Sequence, residues 1–204
     1  MSDADPIIAE VTRDGFRESV HRGRVVCLDA SGAIVLARGA VADPVLLRSC
    51  AKLLQAVGML RAGLDLTGTH LAVACASHDG TDAHLAVVRR ILADAGLDEE
   101  ALGNAPLLAL EPRAAAVQLL AGGPDRVHHN CSGKHAAMLA TCVAKGWPVE
   151  GYLATSHPLQ QALLAVVGDL TGEAATHVAT DGCGAPTAAV SLVGLARAFA
   201  RIDG

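Results

Sequence analysis

The chain has 204 residues, of which 51% are hydrophobic and 18% charged. That composition builds a core and excludes intrinsic disorder. Aromatics are only 2%, and the net charge is -5; together these exclude both an aromatic stacking platform and a phosphate-tracking surface, so no nucleic-acid partner is expected.

Residues 7–39 alternate short β-branched runs with Asp-Gly, Arg-Gly and Ser-Gly punctuation, which predicts a meander of three or four antiparallel strands. After Asp43-Pro44, apolar residues at 46, 47, 50, 53, 54 and 57 predict a helix over 45–60. Residues 70–77 (HLAVACAS) read as a buried strand ending at Ser77-His78. Helices are predicted over 82–96, stopped by Gly96, and over 111–123, stopped by Gly122-Gly123. Residues 127–146 begin polar and become an apolar helix, for which Asn130 or Ser132 is a candidate cap. A helix over 157–172, a strand over 177–187 running into a Gly-rich turn, and a helix over 187–202 complete the chain. Strands first and then helices with isolated strands predict an α+β fold, an antiparallel sheet flanked by helices, as a single domain spanning 1–204.

No apolar run approaches ~18 residues, so no membrane span is expected. The opening MSDADPIIAEVTRDG is acidic and does not read as a signal peptide. The six cysteines are dispersed with no C-x-x-C, which fits free thiols in a reducing compartment and a cytoplasmic location. Basic residues are biased: 13 Arg against Lys52, Lys134 and Lys145. Unlike Arg, a buried Lys is able to lose its proton, which draws attention to Lys52 and Lys134.

Four segments carry candidate chemistry. Ser49-Cys50-Ala51-Lys52 is an S-x-x-K in which positions i and i+3 share a helix face, so a desolvated Lys52 would take the Ser49 proton for acyl transfer. The plainer alternative is an amphipathic helix with Lys52 in solvent. Cys75-Ala76-Ser77-His78-Asp79-Gly80 ends in a turn, where Ser77 is either a proton relay or a turn residue. His129–His135 contains Ser-Gly-Lys but lacks the first glycine of a phosphate loop, since His128 stands there. Its Cys131 and Lys134 sit at a helix start, where the dipole is expected to lower a thiol pKa. In Asp181-Gly182-Cys183-Gly184, Cys183 with Cys131 and a third ligand would suit zinc, although buried cysteines more often act as small hydrophobes.

Taken together, RSCAKLLQ (48–55), ACASHDG (74–80), NCSGKHAAML (130–139) and DGCGAPT (181–187) resemble, in order and spacing, the asparaginase II family of Rhizobium-type L-asparaginases. The resemblance covers essentially the whole chain; CSGKHA and DGCG are its specific parts. It implies a fold similar to serine β-lactamases and glutaminases, and hydrolysis of L-asparagine to aspartate and ammonia. It also implies Ser49 as nucleophile, Lys52 as base, Ser77 in the relay, and zinc on Cys131, Lys134 and Cys183. Arg48 is suited to the substrate carboxylate by bidentate pairing, Asp181 to the ammonium, and His135 to its orientation. Family members are longer. The resemblance therefore implies that this chain matches their N-terminal two-thirds, without the second active-site lysine that pairs with the relay serine, and that turnover is weak or absent. Two rival readings stand beside it: an inactive or regulatory asparagine- or zinc-binding remnant, and a related glutaminase-type hydrolase. A homodimer is the expected assembly.

Overall fold

The computed structural model describes residues 5–202. Strands β1 (Ile7–Arg13) and β2 (Phe16–Arg22) form an antiparallel hairpin in which Arg13 pairs with Phe16. Asp14 and Gly15 make the two-residue turn with φ of 48° and 81°, the positive angles that a tight hairpin requires and an Asp-Gly pair supplies. Strands β3 (Val25–Leu28) and β4 (Ile34–Arg38) form a second hairpin. In its turn Asp29 accepts hydrogen bonds from the Ser31 and Ala33 amides. The meander expected over 7–39 is thus two separate two-stranded sheets.

The third sheet runs in the order β5-β7-β6, all antiparallel. Its strands are β5 (Pro44–Leu46), β6 (His177–Thr180) and β7 (Pro186–Ser191). Every residue of β7 is buried. The helix expected over 187–202 therefore begins only at Leu192, as α7 (Leu192–Ile202). Thr187, Ala188 and Ala189 are compatible with a helix, but ladder bonds to both neighbouring strands outweigh that local preference.

The other helices are α1 (Ala51–Arg61), α2 (Gly68–Cys75), α3 (Asp82–Asp94), α4 (Pro112–Ala121), α5 (Ser132–Lys145) and α6 (Pro158–Thr171). Helix α2 replaces the strand expected over 70–77. An apolar run of eight residues has no period that separates strand from helix, and packing against α5 decides for the helix. Helix α5 begins after Cys131, with no side-chain cap from Asn130 or Ser132. It ends on Gly146 at φ 64°, a left-handed stop that glycine adopts without strain.

Two apolar clusters hold these elements. Val88, Ile91, Met138, Leu139, Leu159 and Leu163 join α3, α5 and α6. Leu47, Ala51, Leu54, Val167 and Val190 weld α1 and α6 to the sheet. Residues 47, 51 and 54 therefore face the sheet, which turns Lys52 toward α2 and α5. Among the described residues no helix is long and apolar enough to cross a membrane.

The α2–α5 contact is unusually close. A Cβ on Gly133 would overlap the Val73 side chain and lie 2.6 Å from its carbonyl oxygen. Gly133→Ala is expected to lower stability by ~1–3 kcal/mol through overpacking, read as a lower urea midpoint at unchanged slope.

Candidate active site

Ser49 lies in a single 3-10 turn, Arg48–Cys50, that leads straight into α1. Lys52, one turn on, is 2% exposed, whereas Ser49 and Ser77 are both exposed. The hydroxyls face solvent and the amine lies beneath them. Lys52 Nζ donates to the Ala76 carbonyl at 2.6 Å and to Ser77 Oγ at 2.8 Å. Ser77 Oγ in turn lies 3.4 Å from Ser49 Oγ. The three side chains form a line, Lys52–Ser77–Ser49, with Ser77 in the middle. Burial is the main force drawing Lys52 below the ordinary lysine pKa. The Lys134 charge acts the same way, and the Cys131 and Cys183 sulfurs oppose it.

Arg48 takes a φ of 50°, a left-handed conformation that costs a non-glycine residue about 1–2 kcal/mol. Strain of this kind collects at functional sites. Its guanidinium reaches Asp181, Nη1 to Oδ1 at 3.1 Å. Asp181 is held from its own side by the 181–185 turn, where its amide donates to the Ala185 carbonyl. Arg48 is mostly exposed and Asp181 mostly buried, so the pair forms the rim beside Ser49.

Below it, Lys134 Nζ stands 3.2 Å from Cys183 Sγ. The neighbouring Cys183 sulfur and burial push the Cys131 thiol strongly up, and Cys131, with His135 and Lys134, draws the Cys183 thiol down. The Cys131 thiol is thus shifted opposite to the lowering expected at a helix start. Cys131, Lys134 and Cys183 converge on one buried spot. Among the described residues no three His, Cys, Asp or Glu side chains group as a metal site, so any such set depends on the Lys134 amine.

His135 is fully buried. Its Nδ1 lies 2.7 Å from the Tyr152 hydroxyl, which also accepts from the Gly103 amide at 2.9 Å. With the phenol hydrogen on Nδ1, the imidazole carries its proton on Nε2, which among the described residues meets no nitrogen or oxygen acceptor and lies toward the Cys183 sulfur. Burial keeps the ring below the usual histidine pKa, opposed by the Cys183 sulfur. Tyr152 is invisible to sequence reasoning because it lies seventeen residues beyond His135 in an irregular segment with no motif around it.

His78 is hidden for the opposite reason: it sits inside a motif, but nothing in the residues around it gives it a task. It is 3% exposed. The Gly80 amide donates to Nδ1 at 3.2 Å, and Nε2 lies 2.9 Å from Ser132 Oγ. Ser132 Oγ spends its own hydrogen on the Val127 carbonyl at 2.7 Å. These partners assign the Nε2–H tautomer. The larger concavities lie elsewhere; one of about 770 Å³ is lined by Arg61, Asp169 and Arg201 at the far end of α6.

With this geometry in view, the comparison with known families is direct. A family profile described as L-asparaginase II matches residues 9–204. The chain belongs to the L-asparaginase II family, a family of L-asparaginase-type hydrolases. It matches no curated protein.

Burial pulls the His78 pKa from 6.5 down to about 4, with His84, Lys52, His129 and His128 adding repulsion. Between those values the unfolded chain binds the proton and the folded chain does not. The stability this contributes is present above pH 6.5 and is lost as pH falls toward 4. The loss is at most ~3 kcal/mol. Urea titrations across that window are expected to show the fall, and His78→Gln, which does not titrate, to make it shallower, the remainder belonging to His129 and His135, whose pKa burial also lowers.

Proposed function

We propose that this protein is an L-asparagine amidohydrolase acting through a Ser49 acyl-enzyme, with Lys52 as the base and Ser77 as the proton relay. The observation that carries the reading is the line of two exposed hydroxyls ending on a dry amine. A neutral Lys52 accepts the Ser77 proton as Ser77 accepts the Ser49 proton, and Ser49 Oγ attacks the side-chain amide carbon. Collapse of the tetrahedral adduct breaks the C–N bond. The proton on Lys52 returns along the same line to the leaving nitrogen, which departs as ammonia. Water then attacks the ester by the same relay and releases aspartate. The intermediate 3.4 Å step between the serines is long for a hydroxyl pair, and bound substrate is expected to shorten it.

Arg48 and Asp181 supply the opposite charges that an α-amino acid carries. In the free protein they satisfy each other at 3.1 Å; with substrate, the guanidinium takes the α-carboxylate and the carboxylate takes the α-ammonium. His135, held by Tyr152, orients this end from below. The same rim accepts glutamine, and the extra methylene is worth only ~1–3 kcal/mol of discrimination. Asparagine is therefore the main substrate and glutamine a minor one.

Cys131, Lys134 and Cys183 fit a soft cation: two buried sulfurs and an amine 3.2 Å from the second of them. These are the residues that would hold zinc. Bound there, zinc would supply fixed positive charge at the base of the site, beneath the Arg48–Asp181 rim. The protein's own part is to keep both sulfurs dry and the amine close.

Asparagine mixed with the chain is expected to release about one equivalent of ammonia per active site, with further turnover weak or absent. Ser49→Ala is expected to abolish the release, and Lys52→Arg to slow it by ~10²–10⁴-fold, because Arg accepts no proton. A module that only binds would instead keep its affinity for asparagine in Ser49→Ala and release nothing in either form. Zinc retained through dialysis, read by elemental mass spectrometry, is expected near one per chain and to fall at least ~10-fold in affinity in Cys183→Ser.

A further inference from the structure

The two groups that receive Lys52, the Ala76 carbonyl and Ser77 Oγ, lie on the short link between α2 and α3. The far end of that link is firmly packed. Asp79 accepts from the Glu111 amide. Gly80 sits at φ 77°, with room for no Cβ: one would lie 2.8 Å from the Ala109 Cβ. The near end is different. Ser77 is exposed, and what anchors it is the residue that follows. The His78 amide donates to the Asn130 carbonyl at 3.1 Å, and its ring reaches Ser132 Oγ at 2.9 Å. Both anchors lie at the entry to α5, the helix that carries Lys134.

We propose that His78 is a positioning residue of this site, which through Nε2–H to Ser132 Oγ holds Ser77 and the Ala76 carbonyl at hydrogen-bonding distance from Lys52. The chain of contacts is continuous. Val127 carbonyl fixes the Ser132 hydroxyl, Ser132 fixes the imidazole, and the imidazole fixes the backbone that bears the relay hydroxyl. The Gly80 amide holds the ring from the other side, so the imidazole has one orientation. A ring that is buried, singly oriented and hydrogen-bonded at both nitrogens has no freedom to pass that constraint on loosely. The link between His78 and Ser132 also ties the relay to α5, so the depth of Ser77 over Lys52 is set by the same helix that sets the thiol pair. This inference rests on the reading of Lys52 as the base and Ser77 as the relay.

The test is the rate of the first equivalent of ammonia from asparagine, with amide exchange as an independent readout. His78→Leu is expected to slow that release by ~10²-fold, the scale of a misplaced reacting group. The half-saturating asparagine concentration should stay within ~twofold, since Arg48 and Asp181 are untouched. His78→Gln places an amide N–H where the ring Nε2–H stands, and is expected to recover the rate to within ~tenfold of wild type. Ser132→Ala cuts the same link from the other end and serves if His78→Leu does not fold. The double variant should be no slower than either single, because both remove one interaction. An unchanged rate in His78→Leu, or equal loss in the Leu and Gln variants, overturns the proposal. Should wild type release no ammonia at all, the amidohydrolase reading fails, and exchange decides the positioning claim alone. Faster exchange at the Ala76 and His78 amides, which donate to the Val73 and Asn130 carbonyls, in the Leu variant but not the Gln variant upholds it, and unchanged exchange overturns it.

Discussion

An amine withdrawn from water must find acceptors or give up its charge. Lys52 does some of each: it is buried, it donates to a carbonyl and a hydroxyl, and burial draws its pKa down. The rest of the site is arranged around that requirement. Helix α1 delivers the amine on the side away from the sheet, because residues 47, 51 and 54 on its other side are committed to the apolar cluster. The link after α2 supplies the acceptors. Helix α5 closes the space from below and is brought near enough by the absence of a side chain at Gly133.

Lys134 lies in the same buried region, and two amines in one dry volume repel. Lys134 finds its partner in Cys183 Sγ, 3.2 Å away. Cys131 and Cys183 also act on Lys52 in the direction opposite to Lys134. The thiol pair and the serine–lysine line are therefore one electrostatic unit rather than two neighbouring sites. Above it, Arg48 and Asp181 neutralise each other at the rim, in a geometry that fixes Arg48 in a left-handed conformation.

Some of this was legible in the residues. Asp14-Gly15 announces a hairpin because few other pairs tolerate two positive φ angles in succession. Residues 82–94 and 158–171 announce helices because their apolar positions recur at helical spacing and glycines stop them. The scarcity of lysine singled out Lys52 and Lys134, and both prove buried. Two of the misread elements share a cause, whereas residues 45–50, expected as helix, form the end of β5 and a 3-10 turn before α1. Residues 68–75 and 186–191 are short; only Val73 and Ala74 of the first are buried and all of the second, so neither repeats often enough for a period to be read. Their conformation comes from their neighbours: α5 against the first, β5 and β6 against the second.

The sequence by itself determined which functional groups are present and at what spacing: a serine and lysine one helical turn apart, one cysteine at a helix start and another between two glycines, and few other lysines to confuse them. Spacing acts through covalent geometry, which is local. Only the tertiary structure decided that Ser77 stands between Ser49 and Lys52, that Lys134 meets Cys183, and that His78 meets Ser132 and His135 meets Tyr152. Those outcomes depend on distances between segments far apart in the chain and on how much water remains between them, and neither is encoded until the helices have packed.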